Sequence, residues 1–230
     1  SLRTHALAPG TQSIIVFASS GGRLWASFMD ALRQNSKFLT EEEHPLDAFV
    51  SRCLVRASEA VPGLVHRWFT PALDSPVHLD FRTLAVQAGL ATPSRLGLVI
   101  RPDVGPWLGL RAACFVSVKI PANEPMSSVC ADCPGHCERA CPGAAFTDGQ
   151  WDVFKCSNFH QTSSICARSC DARVACPVGQ RHRYSDRQLA YHYDRKTGRL
   201  ALAKELGITD DNHAGLGPDW GGWSGVPRKP

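Results

Sequence analysis

The sequence predicts an α+β protein in which a layered α/β region is followed by a loop-rich, cysteine-rich region. Short apolar runs alternate with helical stripes as far as residue 120, which is typical of strands and helices packed in layers. Eight of the ten cysteines then lie between Cys130 and Pro177. With 230 residues, 43% of them hydrophobic, the chain is long enough to bury a sizeable core.

The first strand and the first helix are predicted by the periodicity of apolar residues. Residues 13–18 (SIIVFA) form a continuous apolar run, which indicates a short buried strand. Helical spacing over residues 23–34 indicates an amphipathic helix whose apolar stripe consists of Trp25, Phe28, Met29 and Leu32. Gly21-Gly22, between them, is interpreted as a tight turn, and a phosphate cradle at the helix N-terminus is the alternative.

Two more helices and three strands complete the predicted α/β region. The second helix is predicted by a stripe that contains Cys53 as a packed core thiol; the stripe comprises Leu46, Phe49, Val50, Cys53, Leu54 and Ala57. A third stripe over residues 81–88 ends at Gly89, the position expected of a C-terminal cap. Strands are predicted over residues 64–69, 96–100 and 110–120, with a turn over residues 102–106.

We divide the chain into three parts. Residues 1–121 are the α/β domain, residues 122–184 are the cysteine-rich domain, and residues 185–230 are a basic helix with a tail rich in Gly, Pro and Trp. Ser185 followed by Gln188 resembles a capping box and predicts a helix start. The basic side chains near this helix are interpreted as a solvated surface, with docking to an acidic partner or a polynucleotide as the alternative; they are Arg181, His182, Arg183, Arg187, Arg195, Lys196, Arg199 and Lys204.

Composition restricts the classes of function. The net charge is only +4, so charge alone does not indicate a nucleic-acid-binding protein. The sequence has no apolar run of about 18 residues, which predicts that no segment spans a membrane. The close spacing of the cysteines favours metal ligation over disulfides, and therefore a reducing compartment, either the cytoplasm or an organelle matrix.

The clustered cysteines form two runs, and each run ends in a Cys-Pro pair. The first run is Cys130-x2-Cys133-x3-Cys137-x3-Cys141-Pro142. The second run consists of Cys156, Cys166, Cys170 and Cys176-Pro177. Thiolates clustered in this way bind iron–sulfur clusters or zinc, and the terminal Cys-Pro pairs favour iron–sulfur.

Two-cluster ferredoxins supply a rule for assigning ligands. In these proteins three close cysteines hold one cluster, while the fourth, which precedes proline, binds the other cluster. Applied here, the rule predicts two [4Fe-4S] clusters with exchanged ligands. The first cluster would be held by Cys130, Cys133, Cys137 and Cys176, and the second by Cys141, Cys156, Cys166 and Cys170. Cys53 and Cys114 remain outside both sets.

Two structural zinc sites of four cysteines each are the alternative, because Cys-x2-Cys pairs also bind zinc. Zinc sites usually contain two such pairs, whereas this sequence has only Cys130-x2-Cys133. Three histidines lie near the cysteines, namely His136, His160 and His182. Each could replace a cysteine as a ligand. We interpret His136 and His160 instead as groups that tune a cluster by hydrogen bonding, or as surface side chains without a role.

The α/β segment GLVIRPDVGPWLGLRAACFV, followed by the double cysteine motif, resembles the family of epoxyqueuosine reductases and reductive dehalogenases. The resemblance covers residues 9–179, and Cys156 in FKCSNF holds the place of the lone cysteine before the family's second cluster motif. It implies a nitroreductase-like α/β domain, followed by a ferredoxin-like domain with two [4Fe-4S] clusters. It also implies cobalamin, or flavin, as a further cofactor and tRNA as a partner.

Asp74 is the catalytic candidate that the resemblance implies. The stretch LDSPVHLDFRTLAVQAGL is similar to the segment in which these reductases carry a catalytic aspartate in an Asp-Ser-Ala-Pro-Val-like motif. By this similarity Asp74 would donate a proton beside the cobalt, whereas its local sequence is that of a turn or helix cap. The family's Gly-Lys-Asn-like turn is replaced here by residues 91–95 (ATPSR), which disfavours cobalamin and tRNA.

Three functions are compatible with this pattern. We favour an iron–sulfur protein that passes single electrons to a redox partner protein or to an adjacent cofactor. The first alternative is a reductase whose clusters supply electrons to a bound cobalamin or flavin, with Asp74 as the acid. The second alternative is an accessory subunit of a larger redox complex.

Overall fold

The structure, a computed structural model, describes residues 8–36, 39, 41–42, 44–71 and 79–207. It is a mixed α and β protein, as the sequence predicts. Its largest sheet has three strands in the order β1-β5-β2, with β1 over Ser13–Ser20, β2 over Val65–Phe69 and β5 over Leu108–Val116. Both outer strands run antiparallel to β5. Ala112, Ala113, Cys114 and Phe115 of β5 are almost completely buried, so the central strand lies in the core.

β1 is an edge strand, and the expectation that it is buried is wrong. It pairs only with β5, from Ser13 opposite Val116 to Ser20 opposite Leu108, with an irregularity after Phe17. Its residues are half-buried or exposed, and Phe17 is 39% exposed. A continuous apolar run does not distinguish a central strand from an edge strand, because the difference depends on strands far along the chain.

Helix α1, over Arg23–Gln34, begins and ends where the apolar stripe predicts. Its buried face meets Tyr191, with the rings of Trp25 and Tyr191 centred 5.0 Å apart. Gly21, which precedes it, has φ +57°, and His182 packs directly against it. A positive φ is natural for glycine in a tight turn, so the turn interpretation of Gly21-Gly22 is the better one.

Helix α2 spans Pro45–Glu59 and buries Leu46, Val50 and Leu54. The prediction that Cys53 is a packed core thiol is wrong, because Cys53 is exposed. It lies one position before Leu54 and therefore about 100° around the helix, which is enough to turn it out of a narrow buried stripe. The apolar character of the cysteine side chain made the predicted stripe one residue too wide.

Helix α3, over Phe81–Gln87, is capped at both ends. The Asp80 carboxylate accepts hydrogen bonds from the backbone N–H groups of Arg82 and Thr83, each at 3.1 Å. Gly89 follows the helix with φ +63°, which confirms the predicted C-terminal glycine. The chain then enters a short hairpin of β3, over Thr92–Pro93, and β4, over Val99–Ile100.

Replacing Asp80 by alanine is expected to lower the free energy of unfolding by about 1 kcal/mol at pH 7, the usual value of an N-cap. Hydrogen bonds from the Thr83 hydroxyl and N–H hold the pKa of the Asp80 carboxyl below its usual value. Stability from a lowered carboxyl pKa is present above the unfolded-state pKa and is lost as the pH falls through the folded-state pKa. The difference between wild type and D80A, measured by anaerobic urea unfolding, should therefore shrink below about pH 4.

Asp30→Ala is the matched control for D80A. Asp30 makes an exposed ion pair with Arg33 at 2.7 Å and caps no helix. Its removal should change stability by less than about 0.5 kcal/mol. Equal losses in the two variants would contradict the capping role of Asp80.

The cysteine-rich region consists of short elements joined by turns. Helix α4 spans His136–Ala140, strands β6 and β7 form a hairpin at Phe146–Thr147 and Gln150–Trp151, helix α5 spans Val153–Thr162, and helix α6 spans Asp171–Val174. α5 begins at Asp152, whose side chain accepts hydrogen bonds from two backbone N–H groups. α4 packs against α6, which brings cysteines distant in sequence into proximity.

Two close glycine contacts join the cysteine-rich region to the α/β region. Gly97, with φ +69°, leaves room for the indole ring of Trp151, since an added Cβ would lie 2.1 Å from that ring. Gly105 and Gly179 meet backbone to backbone: an added Cβ on Gly105 would lie 2.0 Å from the Val178 carbonyl oxygen. Gly97 also explains why only Val99–Ile100 of the strand predicted over residues 96–100 forms.

The last described segment packs back onto the body of the protein. The predicted capping box at Ser185 is confirmed in part, because its hydroxyl accepts a hydrogen bond from the Gln188 N–H and starts α7, over Asp186–Tyr193. α8 follows over Arg195–Glu205. Arg199, predicted to lie on a solvated face, is 1% exposed and donates to the Leu39 carbonyl, so that prediction is wrong for this residue. Arg181, Arg183 and Arg187 are exposed, as predicted.

The predicted division into three domains stays a prediction. The segment after residue 184 packs on α1, and Tyr184 and Leu189 pack on Trp107 of the α/β region. The predicted C-terminal tail lies outside the described residues. Among the helices in the described ranges, none combines the length and the apolar character that crossing a bilayer requires.

Candidate metal-cluster site

The first predicted ligand set gathers where α4 meets the end of α6. Cys137, on α4, and Cys176, two residues after α6, are each 8% exposed, whereas Cys130 and Cys133 are half-buried. Burial raises the pKa of the Cys176 thiol, and the nearby Cys130 and Cys133 raise it further. Burial also raises the pKa of Cys137, with smaller contributions in the same direction from Glu138 and Cys133. The fold thus brings Cys176 beside cysteines more than forty residues earlier.

The second predicted ligand set surrounds a single cavity. The lining includes all four predicted thiols, Cys141, Cys156, Cys166 and Cys170. Burial raises the pKa of Cys166 to about 11, with additional contributions from Cys170, Asp171 and the other two thiols. Phe159, His160 and Tyr193 complete much of the wall. The cavity therefore combines four sulfur atoms with an otherwise largely apolar and aromatic lining.

Several N–H groups point at these sulfur atoms. The Ala145 N–H donates to the Cys141 Sγ at 3.4 Å. The Trp151 side chain donates to Cys156 and opposes the increase in the pKa of that thiol, which is caused mainly by burial. Backbone N–H groups of Val178 and Arg173 act in the same sense on Cys176 and Cys170. N–H donors to sulfur stabilise the thiolate form and tune a bound cluster.

A charged pair from the α/β region lies beside the first set. Arg95, in the β3–β4 hairpin, donates from Nη1 to the Glu138 carboxylate of α4 at 2.8 Å. The hydrogen bond to Glu138 raises the pKa of Arg95, and the neighbouring Cys133 and Cys130 add to this effect. Because Glu138 neutralises Arg95, the pair joins the two regions without placing net charge at the first set.

The three histidines have different positions. His160 lines the cavity of the second set. His136 is exposed, and its Nδ1 lies 3.1 Å from Arg139 Nη2. His182 packs on the Gly21 turn at the start of α1 and accepts a hydrogen bond from Arg181. Of the three, His160 is therefore the one that lies in the wall of a thiol-lined cavity.

The four thiols of the second set have the donor chemistry of a [4Fe-4S] cluster, in which each thiolate binds a different iron. In the part of the chain that the structure describes, no three His, Cys, Asp or Glu side chains are arranged to bind a single ion. All ten cysteines are free thiols.

The chain was compared with families, curated proteins and solved structures. No family model matches it. An epoxyqueuosine reductase of Staphylococcus aureus (strain NCTC 8325 / PS 47) is 35% identical over 82 residues, which are 35% of this chain and 21% of that protein. Part of the chain is thus similar in sequence to an epoxyqueuosine reductase. The resemblance predicted from the cysteine motifs and the α/β segment is thus confirmed.

Solved epoxyqueuosine reductases share the fold. The Bacillus subtilis enzyme aligns with a TM-score of 0.50 at 15% identity, covering 92% of this chain and 73% of that one. A selenomethionine-labelled epoxyqueuosine reductase gives 0.53 at 14%, covering 92% and 65%. A third, solved with a modified tRNA stem loop, gives 0.50 at 18%, covering 79% and 52%. The chain spans about half to three quarters of these enzymes, and about a fifth of the curated reductase is matched.

Asp74, the candidate that the resemblance to epoxyqueuosine reductases implies, lies outside the described residues and stays a prediction. Sequence reasoning missed two side chains that are hydrogen-bonded to thiols, Trp151 and Tyr193. It also missed Arg173, whose backbone N–H and charge act on Cys170. For Arg173 a signal was present, since it lies midway between Cys170 and Cys176. For Trp151 and Tyr193 the spacing in the sequence carries no such signal.

Proposed function

We propose that this chain is an electron-transfer protein that holds two [4Fe-4S] clusters and passes single electrons to a partner protein or an adjacent cofactor. One observation carries the proposal: four thiols from three separate segments, Cys141, Cys156 and the pair Cys166 and Cys170, line one cavity. A [4Fe-4S] cluster bound there would take up and release one electron at a time.

The proximity of thiols within each set supports the assignment in which the last cysteine of each run binds the cluster of the other run. The thiols that influence the pKa of Cys176 are Cys130 and Cys133 of the first run, whereas Cys141, from the end of that run, influences Cys166 and Cys170. This is the arrangement of two-cluster ferredoxins, in which the cysteine before proline binds the other cluster. Pro142, after Cys141, has no N–H and a fixed φ, which directs the chain away from the first set.

The surrounding residues prepare the thiols for binding metal. Burial keeps several of them protonated, so uptake of iron would release protons and would be favoured by higher pH. N–H groups such as those of Ala145 and Trp151 then stabilise the thiolates. The half-buried positions of Cys156 and Cys166 leave the second set close to solvent, where an electron could be exchanged with a partner.

The relationship to epoxyqueuosine reductases supports an oxidoreductase role. One solved relative was crystallised with a tRNA stem loop, and another with its catalytic aspartate loop swung out of the active site. Asp74 would be the corresponding acid in a reductase that uses cobalamin or flavin. We place electron transfer first, because four thiols line one cavity, whereas the reductase role depends on the similarity of the sequence around Asp74 alone.

Cofactor content and electron uptake distinguish the electron-transfer role from the role of a reductase that uses cobalamin or flavin. Anaerobically purified protein should accept about two electrons per chain, one for each cluster, in a reversible dithionite titration. It should contain neither corrinoid nor flavin. A double variant, Cys133→Ala with Cys166→Ala, is the matched control and should accept none. Stoichiometric cobalamin or flavin would replace the carrier role with the reductase role, and the absence of reversible uptake would contradict both.

A further inference from the structure

Arg173 is a buried cation with no carboxylate partner among the described residues. It is 9% exposed, and none of the ion pairs in the described ranges includes it. Its Nε and Nη2 donate to the Pro106 carbonyl oxygen at 3.2 and 2.7 Å. Its guanidinium carbon lies 4.8 Å from the ring centroids of Trp107 and Tyr184. The guanidinium is thus held by the Pro106 carbonyl oxygen, by two aromatic faces and by hydrogen bonds to the Tyr184 and Tyr193 side chains.

Arg173 is linked to the second thiol set through Tyr193. The Tyr193 hydroxyl is hydrogen-bonded both to Arg173 and to the Cys170 thiol. Arg173 also acts directly on Cys170: its backbone N–H and its charge both oppose the increase in the pKa of that thiol, which is caused mainly by burial. Cys170 and Tyr193 both line the cavity of the second set. The positive charge therefore lies beside the wall of the cavity.

A buried charge without an opposite charge is costly. Moving an ion out of water costs several kcal/mol even after the protein relaxes, unless a partner compensates for it. Carbonyl and aromatic contacts recover part of this cost. Among the described residues, no carboxylate forms an ion pair with Arg173. Four thiolates carrying an iron–sulfur cluster are anionic, and they become more so when an electron is added.

We propose that Arg173 is the counter-charge of the second cluster and raises its reduction potential, acting directly and through the Tyr193 hydroxyl on Cys170. The inference rests on the proposed function, because it requires a cluster in the second set. Reduction adds one electron and breaks no bond. The added negative charge is stabilised by the fixed cation, so the reduced state gains more than the oxidised state.

The first set provides a matched contrast. Arg95 also lies close to thiols, at Cys133 and Cys130, but its charge is neutralised by Glu138 at 2.8 Å. Arg95→Gln removes a guanidinium near the other cluster and should leave the potential of the second cluster unchanged. If only the Arg173 variants shift the reduction potential of the second cluster, the potential depends on a positive charge placed beside Cys170. A positive charge elsewhere in the cysteine-rich region would then have no effect on it.

The test is an anaerobic redox titration of the full chain, followed by electron paramagnetic resonance. Arg173→Gln should lower the potential of the second cluster by at least about 59 mV, a tenfold change in the equilibrium constant of a one-electron reduction. Arg173→Lys keeps the charge and should restore most of the shift. Tyr193→Phe removes the hydroxyl between Arg173 and Cys170 and should lower the potential by less.

The outcomes separate this inference from the proposed function. Wild-type protein that binds no cluster in the second set would overturn both. A bound second cluster whose potential is the same in wild type and Arg173→Gln would overturn only the role of Arg173. Equal shifts in the Gln and Lys variants would also overturn it, since packing and not charge would then be responsible. If Arg173→Gln does not retain the cluster, an unchanged potential in Tyr193→Phe contradicts the inference, and a lowered one supports it.

Discussion

Replacing Cys176 by alanine is expected to remove the cluster held by Cys130, Cys133 and Cys137, and to leave the second cluster in place. One iron of the first cluster would lose its thiolate, although Cys176 is the last cysteine of the second run. Iron content should fall by about half. In electron paramagnetic resonance spectra of reduced protein, C176A should lose the same signal as Cys133→Ala.

The complementary variant makes this prediction specific. Cys166→Ala should remove the other signal and keep the one that C176A loses. Cys53→Ala is the matched control, because Cys53 is an exposed thiol outside both sets and should affect neither cluster. If C176A and C166A lost the same signal, the exchanged assignment would be wrong, and each run would hold its own cluster.

Gly105→Ala is expected to lower the free energy of unfolding by about 2–4 kcal/mol. Gly105 has φ +64°, and an added Cβ would lie 2.0 Å from the Val178 carbonyl oxygen. A left-handed conformation costs a residue other than glycine about 1 kcal/mol or more, and forcing an extra atom against the backbone adds about 1–3 kcal/mol. Because Val178 follows the Cys176-Pro177 pair, cluster retention should fall as well.

Gly63→Ala is the matched control that measures the cost of a positive φ without a steric clash. Gly63 also has a positive φ, +75°, but no atom lies within 4 Å of an added Cβ. Its replacement should therefore cost only about 1 kcal/mol and should not change cluster content. Anaerobic urea unfolding monitored by circular dichroism, together with iron content, measures both effects. Equal losses in G63A and G105A would show that Gly105 does not join the two regions.

The helices were the most predictable part of the fold. α1 and α3 begin and end within a residue of the predicted bounds, because their apolar residues recur with the helical period and Gly89 ends α3. Strand bounds were less accurate. The strand predicted over residues 110–120 is observed over Leu108–Val116, since its length is set by pairing with β1 and β2, which a single stretch of sequence does not reveal.

The cysteines gave a different kind of signal. Eight cysteines at close spacing and two Cys-Pro pairs indicate metal chemistry before any fold is known, and the assignment of each cysteine to a cluster stays a prediction. Burial of charged side chains was not predictable in this way. Arg199 and Arg173 resemble surface residues in the sequence, and only the folded chain brings them to the carbonyls of Leu39 and Pro106.

Metal and sulfide content tests most directly whether the eight clustered cysteines hold two [4Fe-4S] clusters. Protein purified anaerobically should contain about eight iron atoms and about eight acid-labile sulfides per chain, with zinc well below one. Simultaneous loss of both sulfide and iron on treatment with a chelator and an oxidant would agree with this composition. Two zinc ions per chain without labile sulfide would contradict it and would identify the thiol sets as structural zinc sites.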